Sequence, residues 1–255
     1  MLPGRAWRHR YRDAPAEHSA VGEDHLHSVV GDHLRTARRE ARHEAAPFAL
    51  AILLANLVLA LGSRWAGWEL FGSPDWWLWL LLAGPSALLF VTLVLGPGRV
   101  GFERLQREAV IGLLVLLGVG TGAATLCVVV SLTLWTPTGP QLLASAVVVL
   151  VTNVITYALV FWELDDGGPI ARAMADTRAH PDFQFPQDEN GELARPGWAP
   201  ALLDYVYLSL TNSVAFSPTD AMPLTHNAKL VMGLEASIAL LTVLVVAARA
   251  INVMG

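Results

Sequence analysis

Apolar residues run almost without interruption through 76–95, 109–135, 141–162 and 228–251, and a shorter apolar run covers 47–63. Runs of about 18 or more mainly apolar residues have the length of a membrane-crossing helix. The pattern therefore predicts an all-α, polytopic transmembrane helix bundle with five clear spans. Residues 199–217 are also apolar, but Asp204, Asn212 and several hydroxyls interrupt them. They are expected to form a sixth helix, either spanning or re-entrant. The polar residues before the first span divide in two. Residues 1–18 mix Arg, His, Pro and Gly and are expected to be disordered. Residues 20–46 have helical composition, with opposite charges recurring four apart between Asp32 and Glu44, which predicts a solvated juxtamembrane helix. Segment 163–198 is punctuated by Gly and Pro and is not a span. Its eight acids against three arginines suit either an acidic vestibule or a solvated loop. The chain thus divides into a cytoplasmic N-terminal segment (1–46), a four-helix membrane region (47–162), an acidic connector (163–198) and a C-terminal helix, turn and final span (199–255).

Composition supports this division. Of 255 residues, 54% are hydrophobic and 15% charged, against about 25% charged in soluble domains. The expected location is the bacterial inner (plasma) membrane, crossed several times, with the bilayer as the first partner. Eight of the seventeen Lys and Arg lie in residues 1–46, and 99–107 is basic. The positive-inside rule places both in the cytoplasm, and four crossings then return 163–198 to that side. A complete crossing by 199–217 leaves only Arg64 and Lys229 outside and brings both termini in, the arrangement this charge distribution favours. The first apolar run starts too late for a cleavable signal. Trp65, Trp68, Trp76, Trp77, Trp135 and Trp162 sit where interfacial aromatic rings belong. Gly118, Gly120, Gly122, Ala123 and Ala124 give the third span a small-residue face suited to close helix packing.

Candidate chemistry is sparse. Cys127 is the only cysteine, so one chain can form neither a disulfide nor a thiolate cluster. His25 and His27, near Asp24 and His33, are spaced i,i+2 and do not share a helix face, so they are expected to be solvent-exposed rather than metal-binding. Walker, Rossmann, HExxH and GxSxG motifs are absent. No enzymatic activity, catalytic residue, cofactor, metal or nucleic-acid partner is expected. Polar residues inside spans carry more weight, because lipid offers them no partner. These are Asn56, Thr152, Asn153 and Glu235. The amides are expected to make interhelical hydrogen bonds. Glu235 is expected either to reach towards Lys229 or to face an aqueous path.

The string Ser213-Val214-Ala215-Phe216-Ser217-Pro218-Thr219-Asp220, followed by Pro223, Thr225, Ala228 and Lys229, resembles the pore signature of the potassium-channel superfamily. That signature reads Thr-Val-Gly-Tyr-Gly-Asp, then Pro-x-Thr-x-x-Gly and a basic residue. The resemblance extends from Asp204 to Asn252. From Asp220 onward the spacing agrees; before it, Ala215 and Ser217 replace the two glycines, Phe216 replaces the tyrosine, and Pro218-Thr219 is inserted. The resemblance implies a short helix dipping into the bilayer and an extended return whose carbonyls replace ion hydration. Filter glycines adopt left-handed backbone that costs other residues about 1–2 kcal/mol each, and proline locks φ near −65°. What it implies here is therefore a degenerate pore, lined by the side chains of Ser213, Ser217, Thr219 and Asp220. Such a pore would pass monovalent cations with little selectivity in a homo-oligomer. Read without the resemblance, the same string is a turn joining two packed helices, with Ser-Pro-Thr-Asp as helix-start chemistry. Over its length the chain is more similar to an uncharacterised bacterial membrane-protein family that shares Gly167-Gly168, Asp182-Phe183-Gln184-Phe185-Pro186, Asp204-Tyr205-Val206-Tyr207 and a final Ile251-Asn252. The leading functional expectation is a channel-like membrane protein. The alternative is a non-conducting scaffold that binds a partner through its N-terminal helix or connector.

Overall fold

The computed structural model describes residues 19–70, 72–95, 103–134, 137–174, 181–192, 194–195, 198–215, 217 and 220–254. The expectations for 1–18, Trp135, Phe216, Pro218 and Thr219 lie outside them, as do the side chains of Asp24, His25, His27 and His33. The chain is helical as expected: α1 (Ser19–Ala66), α2 (Trp76–Leu95), α3 (Glu103–Leu134), α4 (Gly139–Leu164), α5 (Pro169–Met174), α6 (Pro186–Glu189), α7 (Leu202–Ala215) and α8 (His226–Met254). Two short antiparallel pairs join β1 (Glu69–Leu70) to β2 (Ser73–Pro74) and β3 (Phe183–Gln184) to β4 (Met222–Pro223).

Five segments are long and apolar enough to cross a membrane: Arg39–Ala66, Trp76–Leu95, Leu105–Ser131, Gly139–Gly167 and His226–Val245. The division drawn at residue 46 is not a structural break, because α1 continues through Pro47. Proline removes one helical hydrogen bond, and the flanking Ala45, Ala49 and Ile52 hold the helix by packing into the core. The most apolar stretch of α4 is 61% buried and those of the other spans 33–39%, which makes α4 the central helix. The small residues of α3 do not form one face. A methyl on Gly118 would touch Tyr157 of α4, one on Gly120 would press on Leu82 of α2, and one on Gly122 would touch Ile238 of α8. The glycines thus let three different neighbours approach. Buried hydroxyls turn back onto their own helices, as Ser86 does to the Leu82 carbonyl (2.6 Å) and Thr121 to Leu117 (2.7 Å). A donor in lipid must find its acceptor inside the protein.

The two ends of the bundle are closed differently. At one end Asp75, 1% exposed, accepts from Ser63 and from Gln141 Nε2 (3.0 Å), which also donates to the Glu69 carbonyl (3.0 Å). Burial pushes the Asp75 carboxyl above the usual carboxylate range, opposed by the Gln141 bond. Arg64 stacks 5.5 Å from the Trp76 ring centre there, beside the exposed Trp65.

The other end, where the connector lies, is tied together by buried Asp165. Its carboxylate accepts from the backbone amides of Asp182 (2.7 Å) and Phe183 (3.1 Å) and from the Tyr205 hydroxyl (2.5 Å). Asp182 in turn accepts from the Asp166 amide (3.3 Å), Thr225 (2.5 Å) and the Leu224 amide (2.8 Å). Phe161, Phe183, Tyr205, Phe185 and Trp198 stack successively at 5.1–6.3 Å, with the Arg172 guanidinium 5.3 Å from the Tyr205 ring. Asp165 and Asp182 are thus neither vestibule nor solvated loop. They are the acceptors that hold the connector against α4, α7 and α8.

This knot decides the path of α7. Its first turn lies at the connector end, with the Leu202 amide 3.3 Å from Glu44 Oε2 and Asp204 capping the Ala201 amide at 2.8 Å. Ser209 reaches the Val154 carbonyl (2.7 Å), near the middle of α4, and Asn212 the Met232 carbonyl (2.9 Å), in the second turn of α8. Fourteen residues of helix measure about 21 Å, short of the hydrocarbon thickness of about 30 Å. The chain then comes back, since Met222 and Pro223 pair with Gln184 and Phe183. The complete crossing expected for 199–217 does not form; α7 is a half-depth helix whose excursion begins and ends at the connector. Cysteines at Glu192 and Asp220, in a Cys127→Ser background, are expected to label from one side of the membrane and a cysteine at Trp65 from the other. Labelling of Asp220 together with Trp65 would restore six spans.

Candidate intramembrane site

The deep end of α7 meets α8 at a carboxyl group. Glu235 has no exposed surface. Ser209, Asn212 and Ser213, at i, i+3 and i+4, line one face of α7, and all three turn onto that carboxyl. Asn212 Nδ2 lies 2.6 Å from Oε2, Ser213 Oγ lies 3.0 Å from Oε1, and Ser209 Oγ also bonds Oε1. Asn153 of α4 donates to the Glu235 backbone carbonyl (3.3 Å), which brings the third helix in. Ser209 also faces the Val154 carbonyl. One hydroxyl hydrogen serves only one of these two acceptors at a time. In α4, Asn153 Oδ1 and Thr156 Oγ1 are buried without a hydrogen-bond partner.

The structure brings Asn153, Glu235 and Ser213 together and separates the rest of the string. Glu235 neither reaches Lys229 nor faces open water; its bonds all go to α7 and α4. Asn56, the other amide singled out, makes the expected interhelical bond, to Thr152 Oγ1 at 3.2 Å. Ser213, Val214 and Ala215 are the last turn of α7 and not an extended strand. Among the described residues of the string none has a positive φ, consistent with the steric cost of left-handed alanine and serine. Val214, Ala215, Ser217 and Asp220 are exposed. The start of α8 is not built from Ser-Pro-Thr-Asp either, because Thr225 Oγ1 accepts from the Ala228 amide (3.2 Å) and α8 begins at His226. Asp220 instead borders a small cavity of about 100 Å³ with Asp204, Tyr207, Thr211 and Gln187 at the connector end.

Sequence reasoning missed Ser209 and Asn212 as a unit. The signal was present: polar residues three and four apart on an apolar helix mark a face that needs a polar partner. It also missed Asp165, which sits among other acids in sequence, Glu163 and Asp166, with nothing local to mark it as the buried one. Among the described residues no group of three or more His, Cys, Asp and Glu is placed to hold a metal ion. Comparison of the chain with known protein families, curated proteins and solved structures produced no match.

Proposed function

We propose that this is a channel-like integral membrane protein, homo-oligomeric, that passes small monovalent cations with little selectivity along the outer face of α7, the return segment and α8. The carrying observation is the half-depth excursion of α7. Non-helical backbone at membrane depth is tolerated only where protein covers it or where it lines water. In the single chain the side chains of Val214 and Ala215, where α7 ends and the non-helical return begins, are exposed and have neither protein nor water over them. A second copy on one side and an aqueous axis on the other supply both. The resemblance to the potassium-channel pore module supports the same reading, and the helical Ser213–Ala215 turn argues against strong potassium preference, because a filter needs an extended segment whose successive carbonyls face one axis. Asp220, repeated around the axis at the mouth, concentrates cations.

Purified protein in liposomes is expected to pass potassium and sodium at similar rates. Asp220→Asn is expected to lower that flux about threefold at about 10 mM salt, where the Debye length is about 30 Å, and far less at about 1 M. A strong potassium preference, anion flux, or flux indifferent to Asp220 overturns this account of the path. Absence of flux favours the scaffold instead.

A further inference from the structure

A large cavity lies away from α7, at the connector end between α1, α2, α3 and the turn that follows α4. Its volume is about 560 Å³. Arg42, Gln106 and Arg107 stand at its polar side, and Leu93, Val110 and Trp162 form its apolar wall. Three spans have their ends at this level: Arg39 and Leu105 begin two of them and Gly167 ends a third. The cavity therefore sits at headgroup depth, polar towards water and apolar towards the bilayer core.

Its charge is unbalanced. Arg107 pairs loosely with Glu163 (Nε to Oε2, 3.6 Å) and donates to the Glu163 carbonyl (3.2 Å), with about half of its side chain exposed. Arg42 spends one N–H on Gln106 Oε1 (3.3 Å) and has no carboxylate partner among the described residues. Each guanidinium carries five donors, so most remain free for an anion. Gly168 shapes the site: φ is +95°, and a Cβ there would lie 3.1 Å from Glu163 Oε2 and 3.6 Å from Arg107 Nε. Only glycine lets the turn pass this close to the ion pair.

From this geometry we infer that the cavity binds the headgroup of an anionic glycerophospholipid, its phosphate held by Arg42 and Arg107 and its glycerol and upper acyl carbons against Leu93, Val110 and Trp162. Two arginines against one acid complement a phosphodiester. An apolar wall continuous with the spans suits a molecule with acyl chains better than a free anion, and basic pockets between membrane helices take anionic lipids for these reasons.

The test uses the full-length protein in detergent, titrated with phosphatidylglycerol, with phosphatidylcholine and with soluble glycerol phosphate, and read by native mass spectrometry and thermal stability. Phosphatidylglycerol is expected to bind and raise Tm, and the other two to do neither. Arg42→Gln is expected to weaken phosphatidylglycerol binding about fivefold, and Arg42→Gln with Arg107→Gln about thirtyfold. Ala171→Trp fills the exposed rim without touching a charge and is expected to abolish binding, which keeps the inference testable if the double variant fails to fold. Equal binding of phosphatidylcholine, competition by glycerol phosphate at the same concentration, or undiminished binding by Arg42→Gln and Ala171→Trp each overturns it.

Discussion

Asp165→Ala is expected to unfasten the connector. Three donors, the amides of Asp182 and Phe183 and the Tyr205 hydroxyl, share that one carboxylate, and the residue has no exposed surface. A buried donor left without an acceptor costs about 1–3 kcal/mol. Water is near at this end of the bundle, so the lower value applies, giving a loss of about 3 kcal/mol. For a chain of this size that is a fall in Tm of about 10 °C. Limited proteolysis should cut between 181 and 198 early in the variant. Asp165→Asn keeps one oxygen for the two amides, and the Tyr205 hydroxyl can accept from the new amide group; less than half of the loss is expected. An alanine variant that melts with the wild type would show that the aromatic stack alone holds the connector.

Glu235→Leu is expected to release the deep end of α7. Ser209, Asn212 and Ser213 lose a shared partner inside the bundle. Side-chain hydrogen bonds between membrane helices average about 0.6 kcal/mol, so three give about 2 kcal/mol of lost stability. Glu235→Gln separates hydrogen bonding from charge, since its amide donates to Ser209 while its oxygen accepts from Asn212 or Ser213. It is expected to melt within about 0.5 kcal/mol of the wild type. Thermal denaturation in detergent checks both, and cysteine labelling at Val214 reports whether α7 has left its groove. Equal stability of the leucine variant would mean that apolar packing by Leu202, Tyr205 and Leu208 holds the helix in place without the carboxyl.

How much was legible varies with the range of the interaction. The spans were readable because lipid imposes a length and an apolarity that each segment must satisfy by itself. Thus α2 was expected at 76–95 and is found there. The continuous α1 was not readable, because proline at position 47 is a local breaker and only the packing of Ala45, Ala49 and Ile52 overrides it. For the site, Asn153 and Glu235 announced themselves as polar groups in apolar runs, but their partners are set by helix depth and rotation.

By itself, then, the sequence determined the helical class of the protein, its five apolar segments of membrane-crossing length and the polar residues that need partners. Each follows from local chemistry: residue polarity and helix length. Only the tertiary structure decided that 199–217 turns back instead of crossing. The charge rule counts residues on either side of a span, whereas the return of α7 depends on contacts distant in sequence, above all Tyr205 with Asp165, Thr225 with Asp182 and Asn212 with Glu235. Those pairs form only once α4, α7 and α8 lie side by side. Their energy comes from burying polar groups together in a medium that offers no substitute.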